Sequence, residues 1–191
     1  MDQLRIYFHF RSPYSRLGLH VIARAELHDS IDVRLIPFTK TAGDAAFLNP
    51  TDSMPKIRYM MEDAPRMAAR MGLPFSGPRP MEVDYETSLN AFYVARAEGL
   101  ALPFALAISD ARWGTGQNIS DPELLKTAAS DVGVVGDVGA APNRGEIEAD
   151  EALIDADGVF GVPFATLDLE GQKKQRFWGQ DRFALLVEAL G

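Results

Sequence analysis

Apolar residues recur along this chain with two different periods, and the switches between them mark its elements. Leu4-Arg5-Ile6-Tyr7-Phe8-His9-Phe10 is an aromatic-rich run of strand length. From Pro13 onward, Leu17, Val21, Ile22 and Ala25 fall at helical spacing, which predicts a helix over residues 13–28 covering one face of a sheet. Residues 31–38, with Val33, Leu35 and Ile36, return to strand character. The start of the chain therefore reads β-α-β. The end reads β-β-α: a strand over residues 164–169, a turn at Glu170-Gly171-Gln172, a returning strand over 174–178 and a closing helix over 183–190.

The stretch between these halves is mostly helical. Residues 56–71 place Tyr59, Met60, Asp63 and Met67 at helical spacings and stop at Gly72, and residues 84–98 carry Leu89, Phe92, Tyr93 and Val94 before Gly99. Residues 101–113 and 122–132 predict two more helices, the second opened by Ser120-Asp121-Pro122, and residues 146–156 a further one. The Gly-rich run over 133–139 lacks both G-K-[ST] and G-x-G-x-x-G, so it reads as a loop and not as a phosphate cradle. Together these segments predict an α/β fold: a thioredoxin-like sheet with a large all-helical insertion between the βαβ and ββα halves. The expected organisation is one domain over residues 1–191, with the insertion at residues 39–157.

Composition then removes several classes of function. A formal net charge of −8, with basic residues scattered and no basic stripe, argues against a nucleic-acid partner. No apolar stretch is long enough to span a membrane, and the N-terminus lacks a basic region followed by an apolar run, so the expected location is the cytoplasm with no membrane partner. The absence of cysteine excludes disulfides, zinc-thiolate sites and a cysteine nucleophile. His9, His20 and His28 form no H-x-x-x-H pair and read as surface or strand-packing residues, so no metal is expected.

Candidate chemistry concentrates at two junctions. Phe10-Arg11-Ser12-Pro13-Tyr14-Ser15 ends the first strand and starts the first helix. Ser12 suits the N-cap and Pro13 the first helical position. A hydroxyl and backbone N–H groups at the positive end of a helix can hold an anion, although ordinary capping would use the same residues. Near the other end, Gly158-Val159-Phe160-Gly161-Val162-Pro163 precedes a strand, where proline cannot donate to a ladder and suits a strand start or sharp turn. Phe177-Trp178-Gly179-Gln180-Asp181-Arg182 follows, with Gln180 and Asp181 at the cap or first turn of the last helix. Asp181 reads either as a plain cap or as a carboxylate facing a ligand ammonium group.

These residues, with Pro55-Lys56, Tyr59-Met60, Asp63, Arg66, Gly72-Leu73-Pro74 and Asn118-Ile119-Ser120-Asp121-Pro122, resemble the 2-hydroxychromene-2-carboxylate isomerases essentially end to end. Those are relatives of the kappa-class glutathione transferases within the DsbA-like thioredoxin superfamily. The resemblance implies a glutathione site and a cis proline at Pro163. Ser12 would hydrogen-bond the glutathione sulfur, with Tyr14 beside it. Val162 and Pro163 would pair with the cysteinyl backbone, Gln180 and Asp181 would bind the γ-glutamyl end, and Lys56 would lie near an acidic group of glutathione or substrate. Family members often carry Gly-Asn-x-Pro-Pro before the lysine; here the region is shorter, and Asn49 is the candidate asparagine. His9 and Arg11 also depart from the commoner family wording, which bears on substrate preference.

The reaction this implies is isomerisation of an aromatic oxo-acid in the breakdown of fused aromatic compounds. A thiolate adds reversibly to a conjugated double bond, the bond rotates and the thiolate leaves. The partners implied are glutathione, a small aromatic substrate and a second copy in a homodimer. Two other readings stay open: a kappa-like glutathione transferase or peroxidase, and a non-catalytic binding protein of thioredoxin fold. A protein-based thiol–disulfide oxidoreductase is excluded, because Ser12 and Ser15 stand where a C-x-x-C pair would be needed.

Overall fold

The computed structural model describes residues 2–25, 27, 31–39, 53–142 and 144–190. The candidate Asn49 lies outside these residues, as does His28. The chain divides into two compact units, one of Met1–Met54 with Glu148–Gly191 and one of Pro55–Ile147.

The first unit is built on a four-stranded sheet. Its elements are β1 (Gln3–Phe8), α1 (Pro13–Arg24), β2 (Asp32–Pro37), β3 (Phe164–Asp168), β4 (Gln175–Trp178) and α7 (Phe183–Ala189), with the end of α6 (Arg144–Asp157). The strand order is β2-β1-β3-β4, with β1 parallel to β2, antiparallel to β3, and β3 antiparallel to β4. That is the sheet of a thioredoxin-like fold, with α2 to α6 inserted between its βαβ and ββα halves, as the sequence pattern predicts.

The central strand β1 reads as an almost unbroken apolar run because both of its faces are buried. Tyr7 sits between Ile36 and Phe164 in the register, and the three pack with Phe38, Ile154 and Val159 into one cluster. Leu4, Ile6 and Phe8 alternate to the opposite face and are fully buried too. Ile6 is in register with Leu35 and Ala165, and Leu4 with Leu167. Helix α7 packs on β3, β4 and α1. Gly18 of α1 permits that approach: a Cβ there would stand 2.9 Å from the Phe183 ring and 3.3 Å from Pro163.

Within the second unit, α3 (Tyr85–Ala97), α4 (Ala101–Trp113) and α5 (Pro122–Val132) pack on one another, and α2 (Met54–Arg70) opens the unit. Asp121 caps α5 by accepting the Glu123 N–H at 2.9 Å, so the Asp-Pro start works as its sequence predicts. Gly133, at φ 90°, ends the same helix in the left-handed region. Arg112 is fully buried and donates to the carbonyls of Pro80, Met81 and Gln117 and to the Tyr85 hydroxyl. These bonds tether the segment before α3 to the end of α4.

Candidate functional site

The end of β1 and the start of α1 are tied together by short-range hydrogen bonds. The Ser12 N–H donates to the His9 carbonyl at 3.0 Å, and the His9 N–H donates to Ser15 Oγ at 3.2 Å. Ser12 takes extended backbone angles and its Oγ accepts the Ser15 N–H at 3.1 Å, an N-cap with Pro13 in the first turn. No acidic residue stands in that first turn, so no carboxylate of the helix's own first turn offsets the positive end of its dipole at Ser12. Ser15, only 1% exposed, is a buried latch; Ser12 and Tyr14 are half-buried and border solvent.

His9 completes the turn. Its Nδ1 accepts the Arg11 N–H at 3.0 Å, so the neutral ring carries its proton on Nε2. Burial, with the Arg11 charge as a second cause, pushes the imidazole down to about 4, and the ring is therefore uncharged at neutral pH.

Across from this turn runs the segment before β3. The Val162–Pro163 bond is cis, as the resemblance implies. The Ser12 hydroxyl donates to the Val162 carbonyl at 3.5 Å, a long contact that is readily given up. Among the described residues, the Val162 N–H has no hydrogen-bond partner, and Val162 is only half-buried. The Pro163 carbonyl accepts the Gly179 N–H at 2.9 Å, which ties this segment to the end of β4. Gly179 is at φ 94°, and a Cβ there would meet Asp181 Oδ1 at 2.7 Å, so the turn needs glycine.

Gln180 and Asp181 lie in a short 3-10 turn, Gln180–Arg182, which packs on α1. Neither residue caps α7: the N-cap position is Arg182, without a side-chain cap bond. Gln180 is buried, whereas the Asp181 carboxylate is 55% exposed and pairs with Arg182 at 2.6 Å. The first unit thus joins Ser12 to Val162, Pro163 to Gly179, and the Gln180–Arg182 turn to α1. Tyr14 lies one residue into that helix. Lys56 belongs to the second unit, exposed in the first turn of α2.

Two features escape the reading of the sequence. Trp178, half-exposed at the end of β4, packs on Phe160 with ring centroids 4.7 Å apart, and its Nε1 would stand 3.2 Å from a Cβ at Gly161. The signal was a tryptophan at the outward position of a strand ending in Gly179. The second is a buried carboxylate, Asp157, immediately before the Gly158-Val159-Phe160-Gly161-Val162-Pro163 run. It accepts from the Tyr7 hydroxyl at 2.6 Å, Arg5 Nη1 at 3.1 Å, Lys174 Nζ at 3.0 Å and Thr166 Oγ1 at 3.1 Å. Burial raises a carboxyl pKa, but the bonds from Tyr7, Lys174 and Arg5 outweigh it and hold the Asp157 carboxyl below its ordinary value. Burial and the same carboxylate push the Tyr7 phenol well above its ordinary range. No sequence spacing announces this cluster, because its members come from four separate segments: β1, the end of α6, β3 and the residue before β4.

A hydroxyl at a helix N-terminus faces the Val162 backbone, whose N–H has no partner among the described residues. That geometry can pair with a short peptide in strand fashion while holding an anionic group at the hydroxyl.

Comparison with known proteins agrees with the fold. The model of the DSBA-like thioredoxin domain matches residues 3–191. The 2-hydroxychromene-2-carboxylate isomerase of Sphingobium xenophagum is 30% identical over 198 residues, covering 96% of this chain and 95% of its own. Human glutathione S-transferase kappa 1 is 24% identical over 205 residues, covering 98% of this chain and 90% of its own. Among solved structures, the cytosolic disulfide reductase DsbM of Pseudomonas aeruginosa with GSH superposes with a TM-score of 0.68 at 20% identity, covering 98% of each chain. The chain belongs to the DSBA-like thioredoxin domain family, with 2-hydroxychromene-2-carboxylate isomerase among its relatives.

Proposed function

We propose that the protein is a glutathione-dependent isomerase of an aromatic oxo-acid. The observation that carries this reading is the Ser12 hydroxyl at the N-terminus of α1, 3.5 Å from the Val162 carbonyl, in a chain with no cysteine of its own. The site is fitted to a thiol that arrives with a ligand. Support comes from the isomerase that shares 30% identity and from the DsbM structure, which carries GSH.

The residues fit a glutathione tripeptide. Val162 offers a backbone N–H without a partner among the described residues, and its carbonyl is held only by the long Ser12 contact. An extended cysteinyl backbone pairs with both groups in the manner of an added strand. Once that happens, the Ser12 hydroxyl turns from the carbonyl to the sulfur. Asp181 gives up an exposed, weak pair with Arg182 and takes the γ-glutamyl ammonium group, with Gln180 beside it. Tyr14 is assigned to the wall beside the sulfur.

Glutathione supplies a thiol that, once ionised, adds reversibly to a conjugated double bond and lets it rotate. The protein's task is to raise the ionised fraction, which is only about three per cent for an ordinary thiol at neutral pH. The Ser12 hydroxyl donates to the sulfur, and because the anion is a stronger acceptor than the neutral thiol this favours the ionised form. The helix N-terminus adds a favourable field. Ser12 forms no covalent bond in this scheme. We assign the reaction to the cytoplasm.

A kappa-type transferase is the second reading, favoured by the 24% identity to the human enzyme. One experiment separates the two. The purified protein is incubated with glutathione and 2-hydroxychromene-2-carboxylate, and both products and free thiol are followed. Isomerisation converts substrate and leaves the thiol unconsumed; a transferase consumes one thiol per product. No conversion and no loss of thiol contradicts both.

A further inference from the structure

We propose that Asp157 is a positioning residue for the glutathione site: it fixes the start of the 158–163 loop to the sheet and so holds Val162 where a bound peptide can pair with it. The proposal rests on the glutathione reading above.

The loop is suspended between two anchors. At its far end the Pro163 carbonyl is bonded to the Gly179 N–H, and Phe164 enters the sheet between Tyr7 and Trp178. At its near end α6 closes with the Gly158 N–H on the Asp155 carbonyl at 3.1 Å and the Val159 N–H on the Ile154 carbonyl at 3.0 Å. Gly158, at φ 63°, then turns the chain away from the helix. The side chain that fixes this turn to the sheet is Asp157, 4% exposed and bonded to β1 through Arg5 and Tyr7 and to β3 through Thr166. Lys174, just before β4, makes the fourth bond.

Tyr7 addresses both anchors. It is the register partner of Phe164, their rings meet edge-on at 6.2 Å, and its hydroxyl bonds Asp157 at 2.6 Å. A single residue of the central strand therefore sets the separation of the two ends of the loop. Between them, Phe160 is wedged against Phe164 at 5.7 Å and Trp178 at 4.7 Å, so a shift at the near end is passed on along the loop.

A buried carboxylate is a poor way to gain stability alone, because desolvation consumes most of the Coulombic gain and apolar packing would serve as well. Its distinguishing property is direction. Four donors converging from β1, β3 and the residue before β4 define one position for Asp157, whereas an apolar side chain would tolerate several.

The test is amide hydrogen exchange at Gly158 and Val159 in the free protein, combined with glutathione titration and steady-state kinetics. Wild type is compared with Asp157→Asn, Lys174→Met and Leu167→Val. The last loosens the core away from the loop. In Asp157→Asn the two loop amides are expected to exchange about tenfold or more faster while Ile6 and Ala165 do not change. The KM for glutathione is expected to rise about tenfold with kcat within about twofold of wild type. Lys174→Met gives the same pattern in smaller measure and serves if Asp157→Asn fails to fold. Unchanged loop exchange overturns the proposal, as does a uniform acceleration of all amides like that of Leu167→Val. If wild type fails to bind glutathione, the functional reading falls, and the exchange data still decide whether Asp157 fixes the loop.

Discussion

Ser12 Oγ lies 3.5 Å from the carbonyl oxygen of Val162, a contact made across 150 positions of sequence. It joins the N-terminus of α1 to the loop before β3, which under the proposed function supply the field and the backbone pairing. The two contributions are separable. Under the proposed function, replacing Ser12 by Ala removes the donor to sulfur but leaves the Val162 backbone in place. Turnover is expected to fall by about 10²–10³, the loss typical of one oxyanion-type donor, with glutathione affinity changed only a few-fold. Steady-state kinetics beside a binding titration checks this. An equal loss in both would show that the hydroxyl mainly binds.

Asp181→Ala should behave in the opposite way. Its pair with Arg182 joins two half-exposed side chains and adds little to folding, so the melting temperature should hardly move. Affinity for glutathione should drop by about tenfold to a hundredfold, the loss of one charge-assisted bond. A variant with wild-type affinity would remove Asp181 from the site.

Gly18→Ala tests the seat of the cis proline. In an ordinary exposed helix interior this change gains about 1 kcal/mol. Here the new methyl would stand 2.9 Å from the buried Phe183 ring and 3.3 Å from Pro163. We expect overpacking to prevail, with a net loss of about 1–3 kcal/mol in denaturant unfolding and weaker glutathione binding as Pro163 is displaced. A stabilised variant would mean that α7 moves aside at no cost.

The pH dependence of stability should carry the mark of His9. Its folded value is lowered to about 4 from 6.5, so the unfolded chain binds more protons between those values. Stability from this source is complete above about pH 6.5 and is lost as pH falls toward 4. Asp157, whose folded value is depressed, acts lower: its contribution is complete above the ordinary 3.8 and is lost as pH falls through its folded value. His9→Asn keeps an acceptor for the Arg11 N–H without a titrating ring. Thermal melts of this variant should lose the slope between pH 6.5 and 4 and retain the drop below it.

Much of the fold was legible because its signals are local. The switch from strand to helix at Ser12-Pro13 and the Asp121-Pro122 start of α5 are capping chemistry, and both appear as read. Register was harder. Alternation in β1 puts Arg5 and Tyr7 on one face, but nothing local says that Asp157 meets them there. Gln180 and Asp181 illustrate a different failure. Capping statistics put an Asp at the helix start, yet the chain first makes a 3-10 turn after Gly179, so the carboxylate stays outside the helix. The shortened region around Asn49 falls outside the described residues, and its role rests on resemblance alone.

The central claim is that this chain uses the thiol of a bound peptide in place of its own. Calorimetric titration of the purified protein with reduced glutathione, beside the Ser12→Ala and Asp181→Ala variants, tests it most directly. The account predicts saturable binding in wild type, retained in Ser12→Ala and much weakened in Asp181→Ala. No heat of binding in wild type at millimolar glutathione would contradict it.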